Sequence, residues 1–273
     1  MTDWLEVGRL IAADVGTLLE ELPTRMEREP VVGAGEGGDE TTAIDAAAER
    51  AAVSRLEALH ESGVEFTLVS EELGTRSFGA ETPVLVLDPI DGSMNAKRGV
   101  PFFTVSLAVA DGPKMDDVFF GYVFDFGTKE EWVGRRGEGA FLDGAPLAGP
   151  GPKEEAEILS FEATRTDSVA AQIGDMVGFA ERTRVMGSLA LTLCHLAAGR
   201  VDAVCSLKPA RSVDIAAAQL LVRERGIAID LPDRPPFATA PLDVSPHSRV
   251  VAAATPERCA ELYRRLTASA PSH

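Results

Sequence analysis

The sequence predicts a layered α/β fold, and three observations carry this prediction. Apolar residues make up 45% of the 273 residues, which is enough for a sizeable core in one large domain or two tightly joined ones. Short apolar segments separated by glycine, aspartate and proline turns fill residues 103–142, a pattern typical of an antiparallel meander. From residue 158 onwards strand-like and helix-like segments alternate, which indicates a sheet covered by helices.

In the first half, two helices and a glycine-rich loop are predicted around short strands. Apolar residues at helical spacing cover residues 4–22, and Pro23 ends that pattern. The stretch Val31–Glu40 contains four glycines and is typical of a mobile loop rather than a strand. Thr42 offers an N-cap for a helix over Ile44–His60. Short β-type segments are predicted as strands: Glu65–Ser70, Pro83–Leu87, Phe103–Ala110, Val118–Phe124, Glu130–Val133 and Gly139–Leu142.

The second half alternates between the two kinds of element. Strands are predicted at Ile158–Phe161, Arg182–Met186, Val201–Ser206 and Val250–Ala253. Helices are predicted at Ser168–Phe179, Leu189–Ala198, Val213–Arg225 and Pro256–Leu266. The linker-like segment Gly149–Pro152 sets the expected boundary between an N-terminal half, residues 1–148, and a C-terminal half, residues 149–273.

Composition argues against several classes of protein. The net charge of −17, from 43 acidic and 26 basic residues, would repel nucleic acid. The apolar stretches are too short to cross a bilayer, and the amino terminus does not resemble a signal peptide, so we expect a cytoplasmic protein. Three scattered cysteines without CxxC spacing indicate neither zinc nor disulfides. Acid excess combined with only five lysines favours a salt-rich cytoplasm over a high-GC genome as its cause.

Asp88 and Asp91 are the strongest candidate metal ligands. An apolar strand leads into the turn Asp88–Ser93 (DPIDGS), so both carboxylates are expected beside the core. Two carboxylates three residues apart repel each other unless a cation lies between them. Hard divalent cations take such oxygen ligands, and no histidine or cysteine lies nearby. The EF-hand pattern is missing, so magnesium fits the turn better than calcium.

Other polar groups stand close to this turn or at similar places in the chain. Gly92 and Ser93 offer backbone amides and a hydroxyl to a phosphate. Further carboxylates occur where helices and strands are interrupted: Asp39, Asp45, Glu71 and Glu72. Taken singly, each is more simply interpreted as a solvated surface charge in so acidic a chain.

The turn also carries a resemblance to a known family. Asp88–Asn95 (DPIDGSMN) resembles the DPxDGTxN signature of the inositol monophosphatase family, which includes archaeal fructose-1,6-bisphosphatases. Further segments agree with that family in order and spacing: Gly37–Asp45, Ser70–Gly74, Met186–Leu191 and Ser212–Ala218. Five ordered matches over about residues 5 to 265 are far more specific than one DPxDG.

The resemblance implies a fold and a metal centre. The fold is a layered αβαβα sandwich with an antiparallel sheet in the first half, a mixed sheet in the second, and the site between them. Two or three Mg²⁺ ions per subunit are implied. Glu71, Asp88 and the Ile90 carbonyl would hold the first. Asp88 would bridge to a second, which Asp91 and Asp214 complete. A third, weaker ion would lie near Glu71 and Asp39. Family members are commonly homodimers, which we expect here.

By the same resemblance, catalysis would involve Glu71 and an Asp45–Ser93 pair that helps to activate the attacking water. Ser93 stands where the family usually has threonine. The implied contacts to substrate are Asp91, Gly92, Ser93, Arg184, Gly187, Ser188, Lys208 and Arg211. The protein would then be a magnesium-dependent phosphatase that acts on fructose 1,6-bisphosphate, inositol monophosphate or both. Two alternatives stay open: a 3′-phosphatase of adenosine 3′,5′-bisphosphate, and an inactive relative that binds a phosphorylated metabolite.

Two departures from the family pattern bear on the substrate. Leu207–Pro209 stands where inositol-specific relatives carry a hydroxyl-binding glutamate, and Val213 replaces a tryptophan. Lys208 and Arg211 bring positive charge, which we expect near the mouth of the pocket and which suits a second phosphate. Ion pairing with local acids at the surface is an equally weighted interpretation of both residues.

Overall fold

The structure is a computed structural model that describes residues 2–35, 40–162, 165–233 and 236–268. Its helices are α1 (Trp4–Glu21), α2 (Arg25–Arg28), α3 (Ala43–Glu61), α4 (Ser93–Arg98), α5 (Thr166–Gln172), α6 (Leu189–Ala197), α7 (Ser212–Glu224) and α8 (Pro256–Ala268). Its strands in the first half are β1 (Val31–Ala34), β2 (Glu40–Thr42), β3 (Phe66–Ser70), β4 (Gly74–Asp91), β5 (Thr104–Ala110), β6 (Val118–Asp125), β7 (Glu131–Arg135), β8 (Gly139–Leu142) and β9 (Ala145–Pro146). Those in the second half are β10 (Ala156–Glu162), β11 (Ala180–Arg184), β12 (Ala203–Ser206), β13 (Ala228–Asp230) and β14 (Val251–Ala253).

The first sheet has the strand order β3-β4-β5-β6-β7-β8-β9, and from β4 onwards each strand runs antiparallel to the next. This confirms the predicted meander. Strand β4 is longer than the predicted Pro83–Leu87 because it also includes the residues before the apolar run. Its residues 84–87 run parallel to β3, whereas its residues 74–79 pair with β3 in the opposite direction.

The second sheet has the order β11-β10-β12-β14-β13 and is mixed, as expected. Strand β10 runs parallel to both of its neighbours, β11 and β12. Strand β14 runs antiparallel to both β12 and β13. The last residue of β10, Glu162, therefore lies at the same edge of the sheet as Ser206, the last residue of β12.

Helices and sheets stack in five layers, so the αβαβα arrangement is confirmed. α1 and α3 cover the outer face of the first sheet, where Ile11 and Leu56 pack with the strand residues Leu85 and Leu107. α6 and α7 lie between the two sheets and share one buried cluster with both. α8 covers the outer face of the second sheet. Each fully buried leucine or isoleucine contributes about 1.5–3 kcal/mol to folding.

The central helix α7 is buried over most of its length because it is enclosed by both sheets. Its small residues, Ala216–Ala218, let the first sheet approach closely. Gly121 of β6 makes this contact possible, since a Cβ atom there would lie 2.5 Å from the carbonyl oxygen of Ala217. This packing fixes the start of α7 and with it Asp214.

Two sequence predictions about the elements were wrong, and strand β13 was missed. Val31–Ala34 is a strand and not a loop, because it pairs antiparallel with β2. The glycine-rich composition of this segment does not reveal that pairing. The predicted helix over 168–179 ends at Gln172 and continues as a 3₁₀ turn, Ile173–Met176. Strand β13 was missed because it has three residues and depends on pairing with β14.

In the described part of the chain, no helix is long and apolar enough to span a membrane.

Candidate active site

The predicted metal-binding turn lies at the end of β4, where the chain passes from strand to helix. Asp88 is 2% exposed, and its Oδ1 accepts a hydrogen bond from the Ile90 amide at 2.9 Å. Gly92 follows with a φ of 93° and caps α4. Glycine is required there because a Cβ atom would lie 3.0 Å from the Phe102 carbonyl oxygen, and because L-residues rarely adopt this conformation.

Carboxylates from both halves of the molecule line one cavity of about 340 Å³. The predicted site residues that line it are Asp45, Glu71, Asp88, Ile90, Asp91, Gly92, Ser93, Gly187, Lys208, Arg211 and Asp214. Arg184 and Ser188 do not line it, and Asp39 lies outside the described residues. Asp214 comes from the first turn of α7 and lines the same cavity as the β4 turn. The predicted meeting of the two halves at one site is therefore present.

Arg211 does not lie at the mouth of the pocket, which corrects that expectation. Its side chain is 10% exposed, and its Nη2 lies 2.7 Å from Glu71 Oε1 and 2.9 Å from Asp214 Oδ1. Its backbone amide also donates to Asp214 Oδ2 at 2.8 Å, as the N-cap of α7. The guanidinium thus lies inside the carboxylate cluster, where it offsets part of the negative charge of two buried acids.

Three carboxylates of this cluster, Glu71, Asp88 and Asp91, have raised pKa values. Burial raises the pKa of Glu71 to about 7, although the charge of Arg211 acts in the opposite direction. Burial also raises the pKa of Asp91 to about 7, partly offset by a hydrogen bond from Ser188. The pKa of Asp88 lies well above its ordinary value because of burial and then repulsion from Glu71. The cluster is therefore short of positive charge even with Arg211 in place.

Asp91 also joins the two halves. Its Oδ2 accepts a hydrogen bond from the Ser188 hydroxyl at 2.6 Å and one from the Ala190 amide at 2.7 Å. Ser188 is 1% exposed and is the N-cap of α6, where its hydroxyl also accepts from the Leu191 amide at 3.3 Å. Ser188 therefore holds Asp91 and α6 in place rather than facing the cavity.

Asp45 and Ser93 each have a partner other than the expected one. Asp45 Oδ2 accepts from the Thr42 amide at 3.1 Å and from the Thr42 hydroxyl, which forms the capping box of α3. Asp45 Oδ1 is buried and has no hydrogen-bond partner among the described residues. The Ser93 hydroxyl donates to the Ile90 carbonyl at 3.0 Å. An unsatisfied buried carboxylate oxygen beside the cavity indicates an acceptor for a ligand.

The donor set suits a hard cation, since it consists of carboxylates and the Ile90 carbonyl. The unsatisfied Asp45 Oδ1 and the raised pKa values of the cluster agree with this. As the side chains stand, however, no three Asp, Glu, His or Cys groups of the described chain form a ready set of metal ligands. Arg211 holds Glu71 and Asp214, so this contact must open before those two carboxylates can share an ion with Asp88 and Asp91.

The structure adds two buried glutamates that the sequence analysis missed. Glu162 lines the cavity and accepts from the Gly187 amide at 3.0 Å and the Thr192 hydroxyl at 2.7 Å. Burial raises its pKa to about 7. Glu49 lies one helical turn after Asp45, and burial raises its pKa to about 7 as well. The position of Glu162 at the end of an apolar strand is the same signal that marks Asp88.

Comparison with known proteins identifies the same family that the sequence motifs resemble. The sequence model of the inositol monophosphatase family matches residues 2–271. A protein of Archaeoglobus fulgidus named fructose-1,6-bisphosphatase/inositol-1-monophosphatase is 34% identical over 225 residues, which cover 82% of each chain. A protein of the same name from Methanocaldococcus jannaschii is 30% identical over 227 residues, covering 83% of this chain and 85% of that one.

A solved structure described as an inositol monophosphatase–fructose 1,6-bisphosphatase superposes with a TM-score of 0.83 and 26% sequence identity. The superposition covers 97% of this chain and 100% of that chain. The two proteins thus share the layered fold over nearly all of this chain.

Proposed function

The chain belongs to the inositol monophosphatase family, and we propose that it is a magnesium-dependent phosphatase of fructose 1,6-bisphosphate, inositol monophosphate or both. Its enzyme class is that of a phosphatase, in line with the family and with relatives named fructose-1,6-bisphosphatase/inositol-1-monophosphatase. The observation that carries the proposal is the meeting of Glu71, Asp88 and Asp91 with Asp214 around one cavity.

Magnesium would be held by the carboxylates of that cluster and by the Ile90 carbonyl, with Asp39 as a further ligand for a weaker ion. When bound, it supplies the positive charge that acidifies the attacking water and offsets the charge developing on the phosphoryl oxygens. The side chain of Asp91 is oriented for this role by Ser188 and by the Ala190 amide.

The chain's own groups would bind the substrate and move the proton. Gly92 and Ser93 line the cavity at the end of the β4 turn, and their backbone amides would bind a phosphate. Asp45 Oδ1 has a free lone pair with which to accept a proton from the attacking water, either directly or through the Ser93 hydroxyl. Lys208 and Lys97 line the same cavity and attract an anionic substrate.

The charge of Lys208 favours the bisphosphate within this pair of substrates. Lys208 is exposed, lines the cavity and belongs to the opposite half of the molecule from the β4 turn. It would bind a second phosphate, whereas a monophosphate has no group for it to bind. Arg211 is engaged with Glu71 and Asp214 and is not available for that phosphate. A homodimer, two or three ions per subunit and a cytoplasmic location remain our expectations.

Phosphate release from fructose 1,6-bisphosphate, inositol 1-phosphate and adenosine 3′,5′-bisphosphate, with magnesium and with EDTA, tests the proposal. We expect magnesium-dependent release from at least one of the first two. Preferential release from the adenosine bisphosphate would replace the proposal with the nucleotide 3′-phosphatase. No release from any of the three by a protein that binds them would indicate an inactive relative. Glu138→Gln, a change at an exposed acid that does not line the cavity, is the matched control for acidic-site variants.

A further inference from the structure

We infer that Arg211 is a built-in counter-ion of the carboxylate cluster, which competes with magnesium for Glu71 and Asp214 and so sets the magnesium concentration that the protein requires. This inference deepens the proposed function and rests on it, because magnesium is the competing cation. It concerns binding, however, and can be tested without any substrate.

The geometry places one nitrogen of Arg211 between acids from the two halves. Its Nη2 lies within hydrogen-bonding distance of both Glu71 Oε1, at 2.7 Å, and Asp214 Oδ1, at 2.9 Å. The second oxygen of Asp214 accepts from the Arg211 backbone amide at 2.8 Å. Both oxygens of Asp214 are therefore engaged by this one residue. A magnesium ion needs such oxygens at about 2.0–2.1 Å, so the same lone pairs cannot serve both cations fully.

Burial makes this contact a persistent one. The side chains of Arg211, Glu71 and Asp214 are only 10%, 17% and 12% exposed. Salt screens a buried ion pair much less than a surface pair, and a buried acid without its partner carries a large desolvation penalty. The surface ion pair between Arg136 and Asp111 is the opposite case, because its side chains are 44% and 55% exposed.

The charges of the cluster explain why the Arg211 guanidinium must move away when magnesium binds. Glu71, Asp88, Asp91 and Asp214 bring four negative charges when ionised, and Arg211 offsets one of them. Without metal, this positive charge lowers the mutual repulsion of the acids and keeps both halves of the site together. Two divalent ions would neutralise all four acids. The charge of Arg211 would then repel the ions at close range, and its burial limits the screening of this repulsion by solvent.

The variant Arg211→Gln tests the inference, with Arg136→Gln as the matched control, because both lose one positive charge. Magnesium binding is measured by isothermal titration calorimetry at constant ionic strength, with no substrate present. We expect Arg211→Gln to bind magnesium at least about tenfold more tightly than the wild type, and Arg136→Gln to bind as the wild type does. We also expect the metal-free thermal midpoint of Arg211→Gln to fall and its rise on magnesium addition to exceed that of the wild type.

Unchanged or weaker magnesium binding by Arg211→Gln would overturn the inference. A lower metal-free thermal midpoint without tighter magnesium binding would mean that Arg211 has a structural role only. If that variant does not fold, the wild type answers the question through the NMR signal of the Arg211 Nε–H, assigned with Arg211→Lys. We expect that signal to shift as magnesium binds, and an unchanged signal at saturating magnesium would refute the competition. A wild type that binds magnesium in this way but hydrolyses no tested phosphate would contradict the proposed function alone.

Discussion

The Asp91 carboxylate accepts a hydrogen bond from the Ser188 hydroxyl at 2.6 Å, and this contact ties the end of β4 to the start of α6. The same Asp91 oxygen accepts from the Ala190 amide at 2.7 Å. Asp91 therefore serves the structure with one oxygen and leaves the other for a ligand. A change at this residue separates the two roles, because an asparagine keeps an acceptor but loses the charge.

We expect Asp91→Asn to fold and to lose activity. Its side-chain carbonyl can still accept from Ser188 and Ala190, whereas the loss of an anionic ligand should lower kcat by orders of magnitude. In metal-free buffer its thermal midpoint should equal or exceed that of the wild type. Burial disfavours the ionised form of Asp91 and raises its pKa to about 7, and the neutral asparagine avoids this penalty. Turnover and thermal unfolding in EDTA measure the two effects. Wild-type turnover at saturating magnesium would show that Asp91 is not a ligand.

Stability of the metal-free protein should depend on pH through Glu162. Burial raises the pKa of Glu162 from 4.5 to about 7, so the folded state binds a proton more readily than the unfolded state. This contribution is fully present below about pH 4.5 and is lost as the pH rises towards 7 and above. The whole shift corresponds to about 3 kcal/mol of unfolding free energy.

Glu162→Gln should therefore show a smaller loss of stability than the wild type between pH 4.5 and 7 in EDTA. Urea unfolding at several pH values provides the measurement. Other buried acids, Glu49 among them, add to the wild-type slope, so the variant should reduce it without abolishing it. Identical slopes for variant and wild type would mean that Glu162 does not carry a raised pKa.

The packing of α7 against the first sheet can be tested at Gly121. A Cβ atom there would lie 2.5 Å from the Ala217 carbonyl oxygen, so Gly121→Ala must push the helix away from β6. We expect a loss of about 1–3 kcal/mol in stability and weaker magnesium binding, because Asp214 moves with α7. Gly151→Ala is the matched control, since no atom lies within 4 Å of a Cβ atom there. Equal stability of the two variants would show that α7 has room to adjust.

The sequence was most informative where chemistry depends on local order along the chain. Asp88 and Asp91 were identified because an apolar strand leads directly into them, and this remains true in the fold. The burial of Arg211 was not predicted. Its spacing of three residues from Asp214 is visible in the sequence, but its contact with Glu71 arises only when the two halves pack together. The same holds for Glu162, whose partners Gly187 and Thr192 come from later elements.

The preference between the two proposed substrates can be tested at Lys208. Lys208 is exposed and lines the cavity, so Lys208→Ala should leave the fold and the carboxylate cluster unchanged. A charge-assisted hydrogen bond contributes about 1.5–3 kcal/mol, so losing it should lower kcat/KM for fructose 1,6-bisphosphate about tenfold or more. The value for inositol 1-phosphate should change little, because that substrate carries no second phosphate. Lys153→Ala is the control, since Lys153 pairs with Glu157 at the surface away from the cavity. Equal losses on both substrates would mean that Lys208 supports the cavity without selecting the substrate. If neither value of kcat/KM changed, Lys208 would not bind a second phosphate. Inositol monophosphate would then become the preferred candidate substrate.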